Sequence, residues 1–188
     1  MIHTINNLED NTVQLIPLQQ KHISLLWPTA QQVDLYKYGS NDVSTIEKLT
    51  NYITTALEAE NAIAFLIFDK RTSAYIGSTR FGNIDYKNKV LDIGWTWISP
   101  ATQGTGLNHK MKYLMLSYAF EKLNFEKVEF RIDERNIKSR KAVEKLGASL
   151  EGILRKNVIT KDNFRRSSCC YGILKEEWPT IKQKYFNK

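Results

Sequence analysis

Apolar and polar residues alternate in short stretches through the first half of the chain, which is the pattern of strands with one buried face. This pattern predicts strands over residues 12–18, 62–68, 74–84 and 90–98. The turns between the last three are short, so these strands are predicted to form an antiparallel meander. An apolar stripe at helical spacing predicts a helix over 45–60, and residues 19–26 predict a shorter helix that ends at Pro28.

Helices and strands alternate in the second half of the chain. Helical periodicity covers residues 105–121, 136–146 and 175–185, and strand-like segments cover 128–132, 150–160 and 164–174. Gly147 directly follows the middle helix, as expected of a glycine that ends a helix. No repeat, linker or low-complexity tract interrupts the pattern, so residues 1–188 are predicted to form a single α/β (α+β) domain with about seven strands.

Composition and charge narrow the class of protein. With 188 residues, 42% hydrophobic and 25% charged, the chain is typical of one soluble domain, and no apolar run reaches the roughly 18 residues of a membrane span. The N-terminus lacks the pattern of a signal peptide, and the adjacent Cys169 and Cys170 would point to opposite strand faces, so a reducing cytoplasm and no disulfide are expected. No cysteine and histidine spacing suits a metal, and the net charge of +7 favours an anionic partner.

The segment SPATQGTGLN, residues 99–108, joins a predicted strand to a predicted helix. Gly104 and Gly106 let its backbone turn and approach a ligand closely, and the first amides of the following helix have no intrahelical acceptor. These amides also carry the positive end of the helix dipole, so together they suit a phosphate group. The segment therefore predicts an anion site.

Three phosphate-binding motifs compete for this segment. The P-loop pattern GxxxxGK[ST] does not occur in the chain. The dinucleotide pattern GxGxxG begins at Gly104 but meets His109 at its third glycine, and four predicted strands precede the loop, which argues against a dinucleotide-binding domain. The pattern [QR]xxGx[GA] fits from Gln103 to Asn108 except at its last position.

At these residues the chain resembles the GNAT superfamily of acyl-CoA N-acyltransferases, and within it the branch that includes the ribosomal-protein N-terminal acetyltransferases. IGWTWISP, residues 93–100, is similar to the strand that the family places before its glycine loop. Residues 119–156 resemble the family's next helix, strand and helix, including Asn136, Ser139 and the pair Leu146-Gly147. The match covers about residues 60–178.

The resemblance implies a mixed, mostly antiparallel sheet with helices on both faces and with its fourth and fifth strands splayed apart. In the family, the pantetheine arm of acetyl-CoA lies in that gap and the pyrophosphate lies on the loop. Pantetheine would pair with the backbone of Trp97, Ile98 and Ser99. The pyrophosphate would lie beside the side chain of Gln103, on the amides of Gly104, Thr105, Gly106, Leu107 and Asn108. Asn136 would bond the pantetheine or hold the strands apart, and Ser139 would reach the sulfur region.

The same resemblance implies direct transfer of an acetyl group from acetyl-CoA to a primary amine, without an acyl-enzyme. Asp92 begins the fourth strand where many relatives carry an acid, and it is expected to take the amine's proton through water, with Glu151 as the second candidate base. Many relatives carry a general-acid tyrosine at the position of Val143. A valine cannot donate a proton, so Ser139 is the expected donor to the leaving thiolate. A further departure is Asn108, which stands where the family has a small residue.

The sequence leaves the acceptor open between a protein N-terminus and a small amine. The basic surface argues mildly against polycationic acceptors. The resemblance is compatible with a homodimer, whereas a membrane and nucleic acid are not expected partners, since lysines and arginines are spread along the chain. The alternative function is a non-catalytic basic domain that binds CoA or RNA, a reading to which the arginines and tyrosine of RRSSCCYG, residues 165–172, lend weak support.

Overall fold

A computed structural model describes residues 5–32, 38, 42–160 and 163–186 of the chain. The described strands are β1 (Leu8–Glu9), β2 (Val13–Pro17), β3 (Ile63–Asp69), β4 (Ala74–Asp85), β5 (Val90–Ile98), β6 (Lys127–Asp133), β7 (Ser149–Ile159) and β8 (Arg165–Leu174). The described helices are α1 (Ile23–Ala30), α2 (Ile46–Glu58), α3 (Leu107–Ser117), α4 (Ile137–Glu144) and α5 (Trp178–Tyr185). A π-helical turn, Tyr118–Lys122, extends α3.

All eight strands belong to one sheet in the order β1-β2-β3-β4-β5-β6-β8-β7. Every neighbouring pair is antiparallel except β5 and β6, so the sheet is mixed and mostly antiparallel, as predicted. The predicted meander is formed by β3, β4 and β5. The sheet has eight strands rather than about seven because Leu8–Glu9 pairs with β2 as a two-residue edge strand, which is too short to show an alternating pattern.

Helices cover both faces of the sheet, which confirms the prediction. On one face, α3 and α5 contribute to the larger core, whose strand residues include Phe65, Phe81, Leu91, Val128 and Tyr171. On the opposite face, α1 and α2 cover a smaller core whose strand residues come only from β2 to β5, among them Leu66 and Trp97. The polar side chains of β6 on this second face therefore lie beside the helical layer rather than beneath it.

Helix α1 shows how tertiary contacts override a local signal. It continues through Pro28 to Ala30, so the prediction that Pro28 ends this helix is wrong. A proline removes one backbone hydrogen bond, but Thr29 and Ala30 are buried, and the Thr29 hydroxyl donates a 2.8 Å hydrogen bond to the carbonyl of Tyr75 in β4. Contacts with the sheet thus hold the last turn of the helix.

Two further sequence expectations concern β8 and the membrane. Cys169 and Cys170 are both free thiols, the first buried and the second half-buried, as their adjacent positions on one strand predict. Over the described ranges, every helix is too short or too polar to cross a bilayer.

Candidate active site

A gap opens between the two parallel strands at the centre of the sheet. β5 and β6 pair over three residues only, and the last pair is Asp92 with Glu129. Beyond that pair β5 runs to Ile98 and β6 to Asp133 without further pairing. These are the fourth and fifth strands of the predicted sheet, so the expected splay is present, and Asp92 lies at its vertex.

Beyond Asp92, only some of the backbone N–H and C=O groups of β5 point toward the gap. The amide of Ser99 donates a 2.7 Å hydrogen bond to the carbonyl of Ile76 in β4, and the Trp97 carbonyl also lies against β4. Because backbone groups alternate along a strand, those of Ile98 face the gap. Its carbonyl accepts a long hydrogen bond, 3.5 Å, from Nε2 of Gln103. Of the three residues predicted to pair with pantetheine, Ile98 is therefore the one turned toward the open side.

A β-bulge in β5 lies beside the gap. Trp95 and Thr96 together oppose Thr79 of β4, and Trp95 has a φ of 51°, in the left-handed region. The Trp95 ring lies flat against Gly82, where a Cβ atom would come within 2.3 Å of a ring carbon. The bulge thus places Trp95 on the face that α1 and α2 cover, while Thr96 faces α3.

The loop between β5 and α3 has the open backbone that its glycines predict. Gly104 and Gly106 have φ values of 81° and 82°, a conformation that favours glycine, and no atom lies within 4 Å of the position of a Cβ on either residue. The hydroxyl of Thr105 is turned inward, where it donates a 2.8 Å hydrogen bond to the Thr102 carbonyl. At both glycines the loop therefore presents backbone alone.

Five consecutive amides on this loop are available to a ligand. From Gly104 to Asn108, no backbone N–H has an acceptor among the residues that the structure describes. The first hydrogen bonds of α3 come afterwards, from the amides of His109 and Lys110 to the carbonyl of Gly106 at 3.1 and 3.2 Å. Unpaired amides at the positive end of a helix form a site for an anion such as a pyrophosphate.

Two cationic side chains lie next to the loop. Nζ of Lys138 in α4 donates a hydrogen bond to Oε1 of Gln103, and Nη2 of Arg71 lies 3.3 Å from the Thr105 hydroxyl. Arg71 is itself paired with Asp69 at 2.8 Å. The contact with Lys138 joins α4 to the loop across the gap, so the side chain of Gln103 lies at the entrance between β5 and β6.

The start of α4 holds the other two residues that the motif singled out. Oδ1 of Asn136 accepts a 3.1 Å hydrogen bond from the amide of Ser139, so Asn136 caps this helix. Its Nδ2 donor and the half-buried Ser139 hydroxyl have no partner in the described part of the chain. Val143, at the family's tyrosine position, is buried in the larger core.

Asp92 is a buried carboxylate at the point where the strands part. It is 5% exposed, and its Oδ2 accepts a 2.6 Å hydrogen bond from Nδ2 of Asn83 and lies 3.6 Å from Nε of Arg131. Burial raises the pKa of Asp92 above its ordinary value. A buried carboxylate with a raised pKa is a stronger proton acceptor than an exposed one, which suits a general base.

Glu151, the second candidate base, lies elsewhere. It is an exposed residue of β7, and two strands separate β7 from β5 in the sheet. Its Oε2 lies 2.8 Å from Nζ of Lys127, which also pairs with Glu129 at 2.9 Å. The structure therefore brings Asp92, Gln103, Ile98 and the loop amides around one gap, and it leaves Glu151 in an ion pair outside it.

Comparison with known proteins identifies the family of this domain. The family model described as "Acetyltransferase (GNAT) domain" matches residues 12–149. The chain belongs to the GNAT family of acetyltransferases.

Relatives of this acetyltransferase include both sequences and solved structures. It is 26% identical to "Uncharacterized N-acetyltransferase YnaD" of Bacillus subtilis, over 77% of this chain and 83% of that protein. It is 29% identical to "Putative ribosomal N-acetyltransferase YdaF" of the same organism, over 61% of this chain and 60% of that protein. A GCN5-related N-acetyltransferase from Brucella melitensis has a similar fold, with a TM-score of 0.88, 26% identity and coverage of 95% of this chain and 83% of that one.

A residue that sequence reasoning missed lies under the bulge of β5 in this GNAT domain. Lys112 of α3 is 5% exposed, and its Nζ donates hydrogen bonds to the hydroxyls of Thr96 at 2.8 Å and Thr79 at 3.3 Å. Burial lowers the pKa of Lys112 from 10.5 to about 7. A lysine next to the inward stripe of a helix is ordinarily exposed, so only the packing of α3 against the bulge reveals it.

Lys112 predicts a pH-dependent stability. Between pH 7 and 10.5 the unfolded chain binds a proton at Lys112 that the folded chain does not, so the free energy of unfolding of the wild type should rise with pH in that window. At about 1.4 kcal/mol per pKa unit, the upper limit of this rise is about 5 kcal/mol. Lys112→Met keeps the shape of the side chain without a charge, so it should remove most of the rise and stabilise the protein at pH 7 and below. Urea unfolding at pH 6, 7.5 and 9 measures this.

The matched control is Lys110→Met, which changes an exposed lysine of the same helix. The two variants have the same net charge, so a difference in slope between them comes from Lys112. Equal slopes for wild type and Lys112→Met would show that Lys112 keeps its proton at neutral pH.

Proposed function

We propose that this chain moves an acetyl group from acetyl-CoA to a primary amine, by direct transfer within a ternary complex. The observation that carries the proposal is the row of unpaired amides from Gly104 to Asn108 beside the gap between β5 and β6. The amides suit the pyrophosphate, and the gap suits an extended thioester arm that ends near Asp92. The residues present thus fit acetyl-CoA in both charge and shape.

Backbone groups and several side chains would hold the cosubstrate in place. Ile98 would pair with the pantetheine arm through its backbone, and the amides of the loop would bind the pyrophosphate with Gln103 beside them. Lys138 and Arg71 would add positive charge near the phosphates, because they already contact Gln103 and Thr105. The unused Nδ2 of Asn136 is the donor that could reach pantetheine while Oδ1 keeps capping α4.

The thioester supplies an activated acetyl group, so the protein has to orient the amine and move protons. Asp92 would take the proton that the amine loses as its nitrogen bonds to the acetyl carbon, directly or through water. The raised pKa of Asp92 favours this transfer. As the carbon–sulfur bond breaks, the thiolate would take a proton from a water bound at the Ser139 hydroxyl, or from that hydroxyl while it takes one from the water. Glu151 has no part in this proposal.

The acceptor class stays open between a protein N-terminus and a small amine. The name of YdaF, a ribosomal N-acetyltransferase, suggests a ribosomal acceptor, but the chain covers only 60% of that protein. The buried Arg80 between Tyr52 of α2 and Trp95 bears on the acceptor and is considered further below.

The proposal predicts that free thiol is released from acetyl-CoA only when an acceptor amine is supplied. The screen pairs peptides of varied N-termini with small primary amines, and each is compared with its N-acetylated form, which has no amine to react. Release well above the hydrolysis rate with an amine, and none with its blocked form, is the expected result. Tight CoA binding without release for any amine would favour the non-catalytic alternative, and no CoA binding at all would defeat both.

A further inference from the structure

Arg80 of β4 carries a guanidinium that is buried without a counter-ion among the residues that the structure describes. The residue is 6% exposed, and its Nε and Nη2 atoms are fully covered with no hydrogen-bond partner. Its Cζ lies 5.0 Å from the centroid of the Tyr52 ring and 5.2 Å from that of the Trp95 ring. These cation–π contacts offset part of the cost of burial, but they leave the N–H donors unused.

An unused buried cation is unusual because a charge removed from water needs a partner. Across the described ranges, no carboxylate lies within ion-pair distance of Arg80. The neighbouring ring is fixed independently of it, since the Tyr52 hydroxyl donates a 3.2 Å hydrogen bond to the Trp95 carbonyl. The structure therefore holds a guanidinium between two aromatic rings, with two covered donors unpaired and no counter-ion among the described residues.

The sheet places this cation next to the candidate base. Arg80 pairs with Gly94, and two residues along β4 Gly82 pairs with Asp92. Residues two apart on a strand share a face, so Arg80 and Asp92 are diagonal neighbours on one face, with Cα atoms about 7–8 Å apart. This is the face that carries α2. Nη1 of Arg80 makes no hydrogen bond to the described residues and is not among the covered unpaired atoms, so the 6% of the residue that is exposed includes this nitrogen.

We propose that Arg80 binds a carboxylate of the acceptor, and that the acceptor is therefore a primary amine with a carboxylate a few bonds away. This inference rests on the proposed function, which brings the amine to Asp92. Nη1 would donate a charge-assisted hydrogen bond to one oxygen of the carboxylate, and such bonds are stronger than those between neutral groups. With the carboxylate on Arg80, the amine of the same molecule lies toward Asp92. A free α-amino acid meets this requirement, and so does a peptide whose first residue has an acidic side chain.

The test compares matched acids and amides as acceptors. One arm uses L-amino acids and their α-amides, and the other uses peptides that begin with Asp or with Asn and are otherwise identical. CoA release gives kcat/KM for each, and the shift in Tm that each compound causes in the CoA-saturated protein gives binding without turnover. The variants are Arg80→Gln, which removes the charge, and Arg80→Lys, which keeps the charge but loses the planar fork.

The wild type should prefer the acid over its amide by about 30-fold or more in one arm, since breaking a buried charged pair costs that much or more. Arg80→Gln should abolish the preference while the Kd for acetyl-CoA is unchanged and the Tm of the free protein is not lowered. Arg80→Lys should retain part of it. The arm that shows the preference identifies the source of the carboxylate.

Equal use of acids and amides by the wild type in both arms would overturn the inference and leave the acetyltransferase proposal standing. A preference that persists in Arg80→Gln would also overturn it. If no compound releases CoA, the proposed function fails. The shifts in Tm that the compounds cause still test whether Arg80 binds a carboxylate. An acid-specific shift that the variant loses supports the inference, and the lack of any acid-specific shift in the wild type refutes it.

Discussion

Replacing Gly106 with aspartate is expected to weaken CoA binding about a thousandfold, whereas Gly106→Asn should weaken it several-fold at most. The carboxylate would stand on the row of amides at the start of α3, where the pyrophosphate is proposed to bind. Two charges about 4 Å apart near a protein surface interact by about 4 kcal/mol, which corresponds to roughly a thousandfold in Kd. Isothermal titration with CoA measures the difference.

The Asn variant is a matched control because the two side chains have nearly the same shape. Gly106 has a φ of 82°, and both Asn and Asp tolerate the left-handed region better than other side chains. Both variants should therefore have a similar Tm without ligand. Similar CoA affinities for the two variants would place the pyrophosphate away from this loop and remove the main support for the proposed function.

Replacing Asp92 with asparagine should lower kcat by at least about 100-fold, the range in which general bases contribute, with the Kd for acetyl-CoA unchanged. The same variant should be more stable than the wild type at neutral pH. Burial raises the pKa of Asp92, so the folded protein pays a penalty for the ionised form that the unfolded chain does not. The stability difference should be absent well below pH 4, where Asp92 is protonated in both states. It should grow from about pH 4 up to the raised pKa and stay constant above it.

Glu151→Gln is the comparison for this prediction because Glu151 is an exposed carboxylate in an ion pair with Lys127. It should change kcat by less than about twofold, since exposed ion pairs contribute little. Loss of activity in Asp92→Asn together with a lower Tm would indicate a structural role for Asp92. Loss of activity in Glu151→Gln with normal kcat in Asp92→Asn would exchange their proposed roles.

Much of the site could be predicted from sequence because its parts are local. The glycines of the loop, the helix that follows them and the cap at Asn136 depend on residues a few positions apart, and each is present in the structure. The sequence named Asp92 and Glu151 as the first and second candidate bases, but it could not show which of the two carboxyl groups is buried. Their different burial follows from the strand order, which separates β7 from β5.

Arg80 and Lys112 could not be predicted by the same reasoning. Both occupy positions at which a charged residue usually reaches solvent. Arg80 lies between two neighbours in β4 that face the other side of the sheet, and Lys112 lies beside the apolar stripe of α3. Helix α2 and the Trp95 bulge enclose Arg80, and the packing of α3 on the sheet encloses Lys112. Pro28 illustrates the same limit, because contacts with β4 extend α1 beyond the residue that should end it.

The amino-acid sequence by itself determined the succession of strands and helices, the open glycine loop before α3 and the family, because periodicity, glycine conformation and helix ends are properties of neighbouring residues. Only the tertiary structure decided which polar side chains are enclosed, since burial depends on what packs over a residue from distant parts of the chain. That enclosure, more than residue type, distinguishes Asp92, Arg80 and Lys112 from the many charged residues on the surface.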